Sequence, residues 1–189
     1  MNKAAFLDRD GVINRKMPEG QYVTRWEEMS FLPGVAEALI LLRRAGFLTI
    51  VVSNQRCVAK GLLSVPELES IHHRMREKLS AEGAAIDAVY YCPHDSQPPC
   101  GCRKPAPGLI LKAAREHKID LKTSWMIGDT AGDMEAGRSV GCKTALLQDS
   151  TEPVNHSADL AAPSLLAAAR EILRRGEAVG VAQAQECSG

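Results

Sequence analysis

"KAAFLDRDG", Lys3–Gly11, carries the first architectural signal. A short apolar run, Ala4–Leu7, stops abruptly on charges at Asp8. Such a run, without polar alternation, reads as a strand buried on both faces of a sheet. The same design returns in "FLTIVVSNQ" (Phe47–Gln55), "IDAVYYCPH" (Ile86–His94), "SWMIGDT" (Ser124–Thr130) and "CKTALLQ" (Cys142–Gln148). Strands are expected to end at Asp8, Ser53, Tyr91 and Gly128, with a short sixth strand at Asp159–Ala161. Helical patterns separate them. Gly34–Ala45 puts Val35, Leu39 and Leu42 on one face. In "SVPELESIHHRMREKLSAEG", Ser64 and Glu67 stand at capping-box spacing and Leu68, Ile71, Met75 and Leu79 form a stripe. Pro107–His117, Gly132–Val140 and Pro163–Arg175 complete the set. Alternating strands and helices imply an α/β fold: a three-layer, doubly wound, Rossmann-like parallel sheet.

Length and composition agree. A chain of 189 residues with 45% apolar content can bury one full core without staples. One domain is expected over residues 1–175, with a disordered tail over 176–189. Basic and acidic residues balance at 23 each, which removes any global electrostatic case for nucleic acid or an anionic membrane. No apolar run reaches the roughly 18 residues of a membrane span, and the N-terminus lacks a signal-peptide core. A cytoplasmic protein is expected, and a monomer. The sequon at Asn155 then carries no meaning. The stretch Asn14–Phe31 is long and weakly patterned, so it is expected to be a loop near the site.

The polar chemistry falls just past the strands, where open α/β sheets bind ligands. Asp8 and Asp10, at i and i+2, can face one site; a carboxylate can act as nucleophile toward phosphorus and a second as acid and base. Alone, this pair is weak, and a solvated turn is the commoner explanation. Asp129 and Asp133 in "GDTAGD" suit Mg²⁺, though an acidic first helical turn would explain them equally. A cation is physically needed if a carboxylate is to approach a phosphate dianion. Ser53, Asn54 and Gln55 offer hydroxyl, amide and backbone donors for phosphate, or simply an ordinary turn. Lys104 offers a neutralising cation, or a solvated lysine. Cys92, His94, Cys100 and Cys102 crowd into eleven residues. In a reducing compartment that density is more often a metal site than a disulfide framework. Cys57, Cys142 and Cys187 are expected to be free thiols.

The ordered combination is specific. "FLDRDGVIN", "VVSNQ", "YYCPH", "CGCRKPAPG" and "IGDTAGDM" together resemble the haloacid dehalogenase superfamily of phosphatases, over about residues 3–175. Within it the chain is similar to the group of histidinol-phosphate and heptose-bisphosphate phosphatases. The resemblance implies Asp8 as nucleophile and Mg²⁺ ligand. It implies Asp10 as general acid and base and, through its carbonyl, a ligand of the same ion. Asp129 becomes the other Mg²⁺ carboxylate, with Asp133 in support. Ser53, Asn54, Gln55, Arg56, Arg103 and Lys104 become phosphate- or substrate-binding, and Cys92, His94, Cys100 and Cys102 a structural Zn²⁺ shell. No large cap is visible after Asp10 or Ser53, so a small phosphorylated sugar is the expected partner: most simply heptose 1,7-bisphosphate, cleaved at C7. Histidinol phosphate is the alternative substrate, and a non-catalytic, zinc-stabilised phosphate-binding module the alternative of another class. The chain departs from the family pattern in a short His94–Cys100 segment, in Arg56-Cys57, in Thr130, and in three extra residues before Tyr22-Val23.

Overall fold

Residues 1–148 and 158–186 are described by the computed structural model, with side chains described as far as 176. Asn155 and Cys187 lie outside the described residues. Six strands form one parallel sheet: β1 (Lys3–Leu7), β2 (Phe47–Asn54), β3 (Ala88–Cys92), β4 (Trp125–Gly128), β5 (Lys143–Leu147) and β6 (Leu160–Ala162). Their spatial order is β3-β2-β1-β4-β5-β6. The chain winds outward from β1 in one direction, returns to β4 beside β1, and winds outward the other way. β1 and β4, paired through Leu7 and Ile127, therefore flank the reversal point.

Period-two alternation explains why the strands read as continuous apolar runs. Ala5 and Leu7 of β1, Val51 of β2 and Trp125 and Ile127 of β4 enter one core. Ala4 and Phe6, Ile50 and Val52, and Met126 enter the other. The first core is roofed by α1 (Val35–Arg44), α2 (Val65–Ala81) and α5 (Leu165–Glu186), the second by α3 (Gly108–His117) and α4 (Ala131–Ser139). The expected helical faces are the buried ones: Val35, Leu39 and Leu42 on α1, and Leu68, Ile71, Met75 and Leu79 on α2. Each fully buried Leu or Ile contributes roughly 1.5–3 kcal/mol. The Ser64–Glu67 capping box is formed at the start of α2.

Several boundaries differ from the sequence reading: β1 stops at Leu7, one residue before Asp8, and β6 lies one residue later, at Leu160–Ala162. β2 and β3 run one residue further, to Asn54 and Cys92, because each pairs with the other there. α5 continues past Arg175 to Glu186, where an unstructured tail was expected from Gly176. The physical reason is propensity: "EAVGVAQAQE" is rich in Ala, Glu and Gln, which favour the helix even without packing. Among the described residues no domain-sized insertion follows β1 or β2. The 14–31 connection holds only a 3₁₀ turn at Trp26–Glu28 and is pinned at its ends by a bridge between Asn14 and Phe31.

Candidate functional site

Asp8 follows β1 directly, and its N–H donates to the Ile127 carbonyl at 3.0 Å, which fixes it against the end of β4. Asp129 follows β4. Asp133 enters from the first turn of α4, where it completes a capping box: Thr130 Oγ1 donates to its Oδ2 at 2.6 Å, and the Asp133 N–H donates to Thr130 Oγ1 at 3.3 Å. The helix-start explanation of Asp133 is thus correct, yet it coexists with a place in the site. Two glycines permit the crowding. A Cβ on Gly11, whose φ is +93°, would sit 2.4 Å from Asp129 Oδ2; one on Gly128 would sit 2.3 Å from Asp133 Cβ.

Asp8, Asp129 and Asp133 each offer a carboxylate oxygen within 4.8 Å of the others. Asp129 Oδ1 is buried with no hydrogen-bond partner. An orphaned, buried carboxylate oxygen beside two more is a donor set suited to a hard divalent cation such as Mg²⁺. Two lysines offset part of this charge. Lys104 Nζ lies 2.8 Å from Asp8 Oδ1 and 2.6 Å from Asp133 Oδ1, and donates to the Val52 carbonyl at 2.8 Å. Its three protons thus meet three acceptors, with the side chain only 4% exposed. Burial works against the charge, but Asp8 and Asp133 hold the ammonium's pKa above its ordinary value. Burial pushes the Asp8 carboxyl up to about 6; Lys104 pulls against that, and Asp133 and Asp10 add to it. The second cation, Lys16, reaches Asp129 Oδ2 at 2.6 Å from the surface.

Asp10 is held differently. Arg9 Nη2 donates to both its oxygens, at 3.0 and 2.9 Å; Asn14 Nδ2 and Gln55 Nε2 donate at 2.9 and 3.0 Å. Burial raises its pKa, but the Arg9 guanidinium and these amides outweigh that and keep it below the usual carboxylate value. A cavity of about 330 Å³ opens over Asp8, Asp10, Ser53, Asn54, Arg103 and Lys104, with residues 16–23 forming its opposite wall. The weakly patterned loop therefore does border the site.

The phosphate-loop candidates divide. Ser53 is buried, and its Oγ accepts from Gln55 Nε2 at 2.8 Å. Asn54 spends its amide on the backbone of Lys104, donating to the carbonyl and accepting from the N–H, each at 3.0 Å. It clamps the Lys104 loop to the end of β2. Arg56, expected to add a cation beside the phosphate, is outside the cavity wall; its Nε pairs with Asp95 at 2.6 Å. That pair ties the turn after β2 to the cysteine loop.

In that loop the sulfurs of Cys92, Cys100 and Cys102 lie 3.2–3.5 Å apart, and His94 Nδ1 lies 3.6 Å from Cys92 and 3.3 Å from Cys102. Tetrahedral edges built on a Zn–S distance of ~2.3 Å are about 3.7 Å, so four donors of the right type stand near zinc geometry. The thiols of Cys57, Cys92, Cys100, Cys102 and Cys142 are free of disulfides. Arg103 follows the last sulfur and donates from Nη1 to the His94 carbonyl at 3.4 Å, so the cluster and the cavity share a loop.

Sequence reasoning passed over Arg9, Asn14, Lys16 and His72. Arg9 was available from the strand period, since a residue between two site-facing aspartates must point into the protein. Lys16 had no local signal, lying in a loop without a pattern.

The HAD-hydrolase-like family model matches residues 101–169. A D-glycero-β-D-manno-heptose-1,7-bisphosphate 7-phosphatase of Pseudomonas aeruginosa is 37% identical over 142 residues, spanning 75% of this chain and 79% of that protein. The protein of the same name from Photorhabdus laumondii is 38% identical over 166 residues, spanning 84% and 87%. The D,D-heptose 1,7-bisphosphate phosphatase of B. bronchiseptica, crystallised with magnesium and phosphate, superposes with a TM-score of 0.82 at 30% identity, covering 92% of this chain and 99% of that one. Among the described residues no helix is long and apolar enough to cross a membrane.

Proposed function

The chain belongs to the haloacid dehalogenase-like phosphatases, and from that membership we propose that it hydrolyses the C7 phosphate of D-glycero-D-manno-heptose 1,7-bisphosphate through an aspartyl phosphate on Asp8. The observation that carries the reaction is the Asp8 carboxylate, held by buried Lys104 at the floor of a cavity that Asp10 also lines. Asp8 attacks phosphorus as the P–O7 bond breaks, and Asp10 gives its proton to the departing alkoxide. Asp10 is ionised in the free site. The entering phosphate dianion favours its protonated form, since a like charge raises a carboxyl pKa. Asp10 then takes a proton from the water that attacks the aspartyl phosphate, releasing inorganic phosphate and restoring Asp8. Asp8 and Asp129, with the Asp10 carbonyl, would hold Mg²⁺, which supplies charge neutralisation between carboxylate and phosphate. Asp133 orients Lys104. Cys92, His94, Cys100 and Cys102 would hold Zn²⁺ in a closed shell that shapes the loop bearing Arg103 and Lys104. The free thiols suit a reducing, cytoplasmic setting.

The substrate reading rests on the relatives and on which cations face the cavity. Lys104 is saturated, Lys16 is paired with Asp129 and Arg56 is turned to Asp95, which leaves Arg103 at the wall for a second phosphate. One observation favours histidinol phosphate as a second reading: Glu19 lines the same cavity and would pair with an ammonium group. Glu27 and Glu28 support it less, being engaged by Arg74 and Arg25. The test is kcat/KM for the bisphosphate and for histidinol phosphate in the presence of Mg²⁺, with wild type and Asp8→Asn. The bisphosphate should be preferred, and Asp8→Asn should lose at least about 10³-fold with the fold intact. Preference for histidinol phosphate would overturn the substrate, and wild-type turnover by Asp8→Asn the mechanism.

A further inference from the structure

Arg9 is 1% exposed, yet it is charged, and the reaction as derived gives it no contact with substrate. While its Nη2 forks onto Asp10, its Nη1 lies 3.1 Å from Nε2 of His72, a residue of α2 that is itself buried. Arginine carries donors only, so Nε2 must accept, and the ring is neutral with its proton on Nδ1. Burial and the adjacent guanidinium lower the His72 pKa to about 3, in keeping with that state. His72 sits among Leu68, Ile71 and Met75 on the buried face of α2, otherwise apolar, where a leucine would pack. Its ring lies 5.4 Å from that of Tyr91, whose hydroxyl donates to Glu69 at 3.0 Å. The Arg9 Nε is buried without a partner, so the His72 contact is what sets the rotation of the guanidinium on the side away from Asp10.

We infer that His72 is a positioning residue for Asp10, acting through Arg9: it fixes the guanidinium fork, which in turn aims the Asp10 carboxyl at the leaving oxygen. This rests on the reading of Asp10 as general acid. A misaimed acid has a specific signature. An alkoxide leaving group needs its proton as the P–O bond breaks, whereas a nitrophenolate departs without one. A general loss of structure would slow both substrates alike.

The experiment measures kcat/KM, which reports the steps through departure of the leaving group and not the later hydrolysis common to both substrates, for a sugar phosphate and for p-nitrophenyl phosphate with wild type, His72→Leu, His72→Met and His72→Gln, each checked for cooperative thermal unfolding. His72→Leu and His72→Met, which lack the acceptor, should lose about tenfold or more on the sugar phosphate and less than about threefold on the aryl phosphate. His72→Gln, whose Oε1 can accept from Arg9, should recover most of the sugar-phosphate rate. Equal losses on both substrates, no loss on either, or a Gln variant as slow as Leu would overturn the inference. Failure of both apolar variants to fold would assign His72 to folding and overturn it too. The parent reading fails separately: wild type without turnover of either substrate, or an Asp8→Asn protein that keeps it, would sink the phosphatase mechanism whatever His72 does.

Discussion

The two candidate metal centres are built over very different lengths of chain. Cys92 ends β3, and His94, Cys100 and Cys102 follow in the loop beyond it, where no strand pairing spaces them. Asp8 and Asp129 come from the ends of β1 and β4, and Asp133 from the start of α4, so the sheet itself sets their separation. The difference is one of what holds like donors together. Three carboxylates at close range repel; here rigid strands, Lys104 and Lys16 oppose that repulsion before any ion arrives. The thiols have no cation among them. Burial, with hydrogen bonding from Cys102, pushes Cys92 up to about 12; against burial, hydrogen bonds from Cys102 and Cys92 bring Cys100 down to about 6. A bound metal would draw these donors together, adding to the Arg56–Asp95 pair and the Arg103–His94 hydrogen bond that already hold the loop. Losing the ion should therefore cost activity at one centre and structure at the other.

The strongest way to break this comparison is Lys104→Met. It leaves Asp8 and Asp133 facing each other in a buried site without their shared cation. We expect a loss of roughly 3–5 kcal/mol in denaturant unfolding, the scale for breaking a buried charge pair from one side. Unchanged stability would mean that the sheet alone holds the carboxylates. Next comes the cysteine loop. Purified protein should carry about one zinc per chain. Cys100→Ser should lose that zinc and about 2.7 kcal/mol, the linkage for a site at a hundred times its dissociation constant. Metal analysis without zinc in fully reduced protein would remove the structural-metal half of the comparison.

The smallest net effect concerns pH, because the raised Asp8 carboxyl opposes the lowered His72 imidazole over much of the same window. His72 titrates at about 3 in the native protein against 6.5 ordinarily. Between those values the unfolded chain binds a proton that the native chain refuses, so stability rises with pH and falls as the solution is acidified through the window. For one proton the slope is about 1.4 kcal/mol per pH unit. Asp8, raised from 3.8 to about 6, has the opposite sign over that part of the window, so the His72 share is read as the difference in slope between wild type and His72→Gln. Acid would also protonate thiolates and release any zinc held there, so zinc content followed in parallel separates the two regions. A slope that survives in His72→Gln and tracks zinc release would assign the acid sensitivity to the cysteine loop instead.

Much of the protein was legible because its signals are local. Apolar runs halting on charges marked β1, β2 and β4, the i, i+3, i+4 stripe marked α2, and Ser64 with Glu67 marked where α2 begins. Donor type and spacing alone singled out the cysteine loop. The motif order also placed Asp8, Asp10, Ser53 and Asp129 at strand ends, and a doubly wound sheet has only one edge where such ends converge. Partner choice was not legible. Arg56 has a neighbour of opposite charge in Asp95, which it meets only because β2 and β3 are paired, so it faces the cysteine loop and not the cavity. Asn54 clamps Lys104 for the same reason. Lys16 reaches Asp129, and His72 reaches Arg9, across separations that no periodicity spans. Periodicity and spacing encode which face of its own element a side chain occupies. Which charge or acceptor it finds there depends on the elements packed opposite, and that was decided only when the sheet closed its order and α2 settled against Tyr91 of β3 and Arg9 beyond β1.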